Sequence, residues 1–147
     1  MFKNGAILLI LLFFSSTNEA NAADVLRHLE IESAMQSGKV LDALNPEIKL
    51  FFSGDTYPQV IKSYGIFTTS KRTNSFLKDK VESCEWALAS ALQHLQQIAV
   101  DHNAHAVIEI SSNIKNNKNA SNIHYDCLVG SMMVNVALQA KIVKIVQ

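Results

Sequence analysis

SCEWALASALQHLQQIAVDHN, residues 83–103, is the stretch that decides the fold. Leu88, Leu92, Leu95 and Ala99 recur at helical spacing, with Ala91 and Ile98 beside them, while Glu85, Gln93, Gln96 and Gln97 fall on other faces. The spacing predicts one amphipathic helix lying on a core. Ser83 is the expected N-cap and Asn103 stands where the helix should end.

A helix with one apolar face needs a surface to cover, and the flanking segments supply strands. Downstream, residues 106–112 alternate, which puts Ala106, Ile108 and Ile110 on one expected face. The asparagine-rich residues 113–122 read as a loop. Residues 123–145 then form a long β-type region holding Leu128, Met132, Val134, Val136, Leu138, Ile142 and Val143. It is either one strongly bent strand or two strands joined near Gln139-Ala140. Upstream, residues 25–31 read as a first strand, and residues 31–36 and 40–44 as short helical pieces stopped by Asn45-Pro46. Residues 48–52 are a short strand ending at Ser53-Gly54-Asp55, residues 66–69 another strand, and the polar residues 71–80 a loop. The expected architecture is α+β: one main helix packed on a mostly antiparallel sheet.

The N-terminus carries a different signal. Lys3 precedes an unbroken apolar run from Ala6 to Phe14, and Ala20-Asn21-Ala22 places small residues where a signal peptidase requires them. We expect cleavage between Ala22 and Ala23, leaving residues 23–147 as a single α+β domain. The run is far shorter than the roughly 20 residues of a membrane-spanning helix, so no membrane span is expected in the mature form. No cysteine closely follows the run, so the product is not expected to be a lipoprotein. The compartment is an exported one, the periplasm of a bacterial cell, and no cofactor is expected.

Formal net charge is zero over 147 residues, which gives no overall attraction to nucleic acid or to an anionic membrane surface. Two cysteines, Cys84 and Cys127, follow the signal segment. In an oxidising compartment they pair most simply as one disulfide. It would close a loop of about 44 residues, worth on the order of 4 kcal/mol on a chain-entropy account. Their spacing is not that of a redox C-x-x-C pair. The glycines after residue 22 (Gly38, Gly54, Gly65, Gly130) are isolated, so neither phosphate-binding glycine motif is present. No G-x-S-x-G nucleophile elbow exists, and Ser131 lies in an apolar stretch.

Metal binding has the better candidates. His102 and His105 flank the turn after the helix, and His124 and Asp126 open the long β region; imidazole and carboxylate together suit zinc or copper. The spacing matches no dedicated zinc pattern, so exposed turn residues are the plainer alternative, and His94 is expected on the solvated helix face. Met132-Met133 cannot chelate together from one strand and are expected in the core. Asn119-Ala120-Ser121 has the form of a glycosylation acceptor or of a polar surface loop.

Thr69-Ser70-Lys71-Arg72-Thr73-Asn74-Ser75-Phe76, Cys84-Glu85-Trp86-Ala87-Leu88, Ala104-His105-Ala106-Val107, Tyr125-Asp126-Cys127 and residues 130–138 together resemble a family of small exported bacterial proteins often labelled "excinuclease ATPase subunit". The more specific marks are Cys-x-Trp-Ala, and Tyr-x-Cys with a glycine three residues later. The residues offer no ATP site, zinc-finger cysteine set or DNA-binding charge to match that label. A more distant likeness is to the YbjQ-type fold, which carries a heavy-metal-binding label and appears in the stress-sensor lipoprotein of the Rcs phosphorelay. It rests on the helix, the Asn103-Ala104-His105-Ala106-Val107 turn, the strand, and the long β segment beginning near a cysteine. The chain departs from that sensor in lacking a lipid-attachment cysteine and in having two cysteines rather than four. The resemblance implies an exported product and carries no mechanism; the leading expectation is a non-enzymatic module whose partner is an envelope protein or a second copy through an edge of the C-terminal β region. The alternative is a metal- or small-ligand-binding module using His102, His105, His124 and Asp126. An enzyme would need a cleft with paired titratable groups, which no motif supplies.

Overall fold

The computed structural model describes residues 23–147; the expected signal segment and its cleavage at Ala22 lie outside them. In chain order the elements are β1 (Val25–Glu30), α1 (Ile31–Met35), α2 (Gly38–Ala43), β2 (Lys49–Phe52), β3 (Val60–Asn74), α3 (Lys80–Asp101), β4 (Ala106–Ile114), β5 (Asn117–Asn119), β6 (His124–Val129) and β7 (Met133–Ile145). The fold is α+β, with the strands in one mixed sheet.

Strand β7 is the spine. Along its whole length it pairs antiparallel with β3, from Asn74↔Met133 to Val60↔Ile145. Its other side is shared by β6, which meets its start, and by β4, which runs from Ser112↔Leu138 to Ala106↔Val143. Strand β1 lies outside β6, β5 folds back on β4, and β2 runs parallel to β4. Val134, Val136, Leu138, Ala140 and Ile142 of β7 share one face and pack with Leu88, Leu92 and Leu95 of α3. A smaller cluster of Ala106, Ile108, Val143 and Ile145 lies apart from that core, under Phe51, Tyr57 and Val60.

Four local features differ from the sequence expectation, each for a physical reason. Helix α3 begins a turn earlier: Asp79 is the N-cap, accepting from the Glu82 N–H at 2.8 Å, and Ser83 is buried inside the first turn, donating to the Asp79 carbonyl. Residues 71–74 are strand, not loop, because the unbroken β7 ladder carries them despite their polarity. The break in the C-terminal β region comes at residues 130–132, and β7 runs straight through Gln139-Ala140. Gly130 marks that turn; a Cβ there would stand 2.9 Å from Asp24 Oδ1 and 3.1 Å from the Met133 carbonyl. Ile110 leaves the face of Ala106 and Ile108, because Glu109 is an extra residue relative to both β2 and β7 and takes a left-handed φ of 53°. That bulge reverses the alternation and sends Ile110 to the main core.

The expected end of α3 holds. Asn103 adopts φ 53°, the Ala104 N–H reaches the Ala99 carbonyl at 2.8 Å and the Asn103 N–H reaches Val100 at 3.0 Å, a Schellman closure. The disulfide also forms: Cys84 in the second turn of α3 and Cys127 in β6 are bonded, with Cα atoms 6.0 Å apart and both side chains fully buried. It ties the helix N-terminus to the sheet.

Candidate functional site

The residues singled out for metal binding are not brought together. His102 is the C-cap of α3; its Nδ1–H donates to the Ile98 carbonyl at 2.8 Å, and its ring packs against Tyr64 and Phe67. His105 Nδ1–H donates to the Ile145 carbonyl at 3.2 Å. His124 is exposed at the start of β6, opposite Glu30. Among the described residues, no group of three or more His, Cys, Asp or Glu side chains is placed to hold a metal ion. His94 is exposed, as expected, and is bonded to Thr69 Oγ1 at 2.8 Å. Met132 and Met133 are exposed rather than core, because the β6–β7 turn carries them to the end of the sheet.

Asp126 has a structural occupation. It is 3% exposed, accepts from His28 Nδ1–H at 2.6 Å and takes both oxygens to Asn119 Nδ2 at 3.1 and 3.2 Å. Its own N–H donates to Ser112 Oγ at 2.8 Å. The network ties β1, β4, β5 and β6 together. It also accounts for Asn119 and Ser121: the Asn119 amide is spent on Asp126, and Ser121 Oγ accepts from the Ile123 and His124 N–H groups. His28 went unnoticed in the sequence; only the β1–β6 register, which sets it opposite Asp126, brings it forward.

The distinctive surface lies along β3. Fifteen residues long, it pairs with β7 on one side and with no strand on the other among the described residues. Its outer row of backbone donors and acceptors is therefore open to another strand. The expected apolar edge on the C-terminal β region is not there, because β7 is paired on both sides. The edge belongs to β3, which presents Ile61 and Ile66 among polar residues. Gly65, at φ 105°, takes the register shift between Ser63 and Ile66 and bends the edge locally.

Charge is sorted around this edge. Strands β3 and β7 carry Lys62, Lys71, Arg72, Lys141 and Lys144 and no Asp or Glu. Lys62 stands directly across from Lys144, a like-charge pair. Lys141 is the one neutralised within the sheet, by Glu109 at 2.9 Å. That hydrogen bond is the main reason the Glu109 carboxyl is held below its ordinary value and the Lys141 ammonium above its own. The helices have the opposite balance: Glu32, Asp42, Glu82, Glu85 and Asp101 against Lys39 and Lys80. Overall neutrality thus conceals a basic edge and an acidic helical side.

The face turned away from α3 extends the basic side. Lys115 and Asn116, both at positive φ, form the two-residue turn of the β4–β5 hairpin where a loop was expected. Lys115 borders three open grooves of about 380, 300 and 370 Å³, sharing the first with Arg72. At the same end of the sheet the Ser75 N–H meets the Met132 carbonyl at 2.8 Å, and Phe76, Leu77 and Met132 are exposed.

No family model, curated protein or solved structure matches this chain.

The site is therefore read from its own chemistry. A free strand edge can hydrogen-bond an extended chain, and its cations can select one by charge. Composition gave no signal for this, since the charges separate only when β3 is folded against β7.

Proposed function

We propose that this chain is an exported, non-enzymatic interaction module that binds an envelope protein by taking an extended segment of it onto the free edge of β3. The observation that carries this reading is the length of that edge, fifteen residues paired on one side only among the described residues. Most strands are five or six residues long, and soluble proteins usually shorten or cover an edge that would otherwise template pairing. The disulfide supports an oxidising compartment, and the likeness to small exported bacterial proteins supports the periplasm. The staple keeps α3 on the sheet, away from the outer edge of β3.

Site-specific photo-crosslinking in living cells tests it. A crosslinking residue at Ile61, Ile66, Thr68 or Ser70 is expected to give one discrete adduct, identified by mass spectrometry, that is absent when the residue stands at Glu32 or Asp42. Adducts from the helical side alone would overturn the assignment.

A further inference from the structure

Building on that reading, we infer that the segment bound by β3 is acidic, with carboxylates near both of its ends and an uncharged middle. Lys62 stands near one end of the strand, and Lys71 and Arg72 near the other. Between them lie only uncharged residues, Ser63 to Ser70. At about 3.3 Å per residue the two cationic ends are roughly 30 Å apart, so an incoming strand of ten or more residues spans both. Each end is reinforced from outside the strand. Lys144 faces Lys62 across the ladder, and Lys115 borders the groove that Arg72 lines, two cations against the one carboxylate there, Asp24. None of Lys62, Lys71, Arg72, Lys115 and Lys144 makes a salt bridge among the described residues. A carboxylate arriving on a strand would meet these cations at the spacing at which cross-strand pairs act.

Two other occupants fit less well. Self-pairing of β3 over its full length, antiparallel about Phe67, would set Lys62 directly against Arg72, which is destabilising. An anionic lipid surface would satisfy the charge but leave the open row of backbone N–H and C=O groups without partners, whereas a strand satisfies both. Cations along an edge also discourage aggregation, but that role needs no particular spacing and predicts no affinity.

The test uses the mature chain, residues 23–147, with the disulfide intact. Three probes serve: a twelve-residue peptide of alternating Thr and Val with two Glu at each end, the same peptide with Lys for Glu, and vesicles containing an anionic phospholipid. Binding is followed by titration calorimetry, and the contact surface by amide hydrogen exchange. The acidic peptide is expected to bind, to weaken as salt rises, and to protect amides of residues 60–74. The doubly substituted K71E/R72E, altered at a half-buried and an exposed position of one strand end, is expected to bind it at least tenfold more weakly, and R72E alone, at the exposed position, to weaken it with unchanged thermal stability. Equal binding of both peptides with protection of β3 would leave the edge standing and overturn its acidic preference. Acidic-peptide binding without β3 protection would overturn the edge itself. Absence of acidic-peptide binding, or binding to the vesicles alone, would overturn the inference.

Discussion

Tyr125 is the residue whose chemistry is least expected from its surroundings. It is 1% exposed, and its hydroxyl has no hydrogen-bond partner among the described residues. Burial is the first cause of its phenol being pushed far above the ordinary value, so it stays neutral throughout the working range. An orphaned buried hydroxyl costs more than it returns. Tyr125→Phe should therefore leave stability unchanged or raise it by up to about 1 kcal/mol in urea unfolding; a loss of that size would show that the hydroxyl has a partner. Glu109 and Lys141 make one pH-dependent contribution. A lowered carboxyl stabilises above the ordinary glutamate value near ~4.3 and ceases to as pH falls through its folded pKa. A raised ammonium stabilises below the ordinary lysine value near ~10.4 and ceases to as pH rises past its folded pKa. Lys141→Met should thus lose stability between these limits and converge on the wild type outside them; a constant deficit at every pH would rule out the ion pair. Neither residue was legible in the sequence. Glu109 belongs to a bulge, and a bulge is invisible to alternation because it is a departure from it.

Among the elements, α3 was the most legible, since its leucine stripe has a single consistent period and Asn103 ends it in the conformation asparagine tolerates. What the stripe did not disclose is Gln96. On periodicity it belongs to a polar face, yet it is 2% exposed and clamps the chain entering β2. Its amide nitrogen donates to the carbonyls of Asn45 and Ile48 at 2.9 and 2.8 Å, and its oxygen accepts from the Asn45 N–H at 2.8 Å. Gln96→Ala removes all three bonds and strands backbone groups from water, a loss of about 2–4 kcal/mol in denaturant unfolding. A loss below about 1 kcal/mol would mean that water replaces the amide. Strand β3 shows the opposite lesson. Only its β-rich middle was legible, because Lys71 to Asn74 are polar and become strand through the nine-residue uninterrupted register of residues 66–74 with β7 rather than by propensity.

For the whole molecule, the disulfide and the sorting of charge matter most. The cysteine pairing followed from count and the expected compartment alone. Replacing Cys84 and Cys127 together by Ala should lower stability by about 4 kcal/mol, within the 2–5 typical of small stapled domains. A smaller effect would show that packing of α3 on β7 suffices without the bond. The charge sorting could not be read beforehand. A neutral total says nothing about where lysines and carboxylates lie once a helix covers one face of a sheet. The histidines illustrate the same limit: neighbours at positions 102 and 105 are turned to different carbonyls, while His28 and Asp126, far apart in sequence, meet.

Everything proposed for function depends on the outer edge of β3 being unpaired in the folded protein. Residue-resolved amide hydrogen exchange on the disulfide-intact chain of residues 23–147 measures that directly, at a concentration where sedimentation shows the molecule's mass. Along residues 66–74, where the register with β7 is uninterrupted, alternate amides should be protected by β7 and the intervening ones should exchange almost as fast as an unfolded chain. Uniform protection along the strand would mean that the edge is already covered, and would contradict its role as the partner's seat.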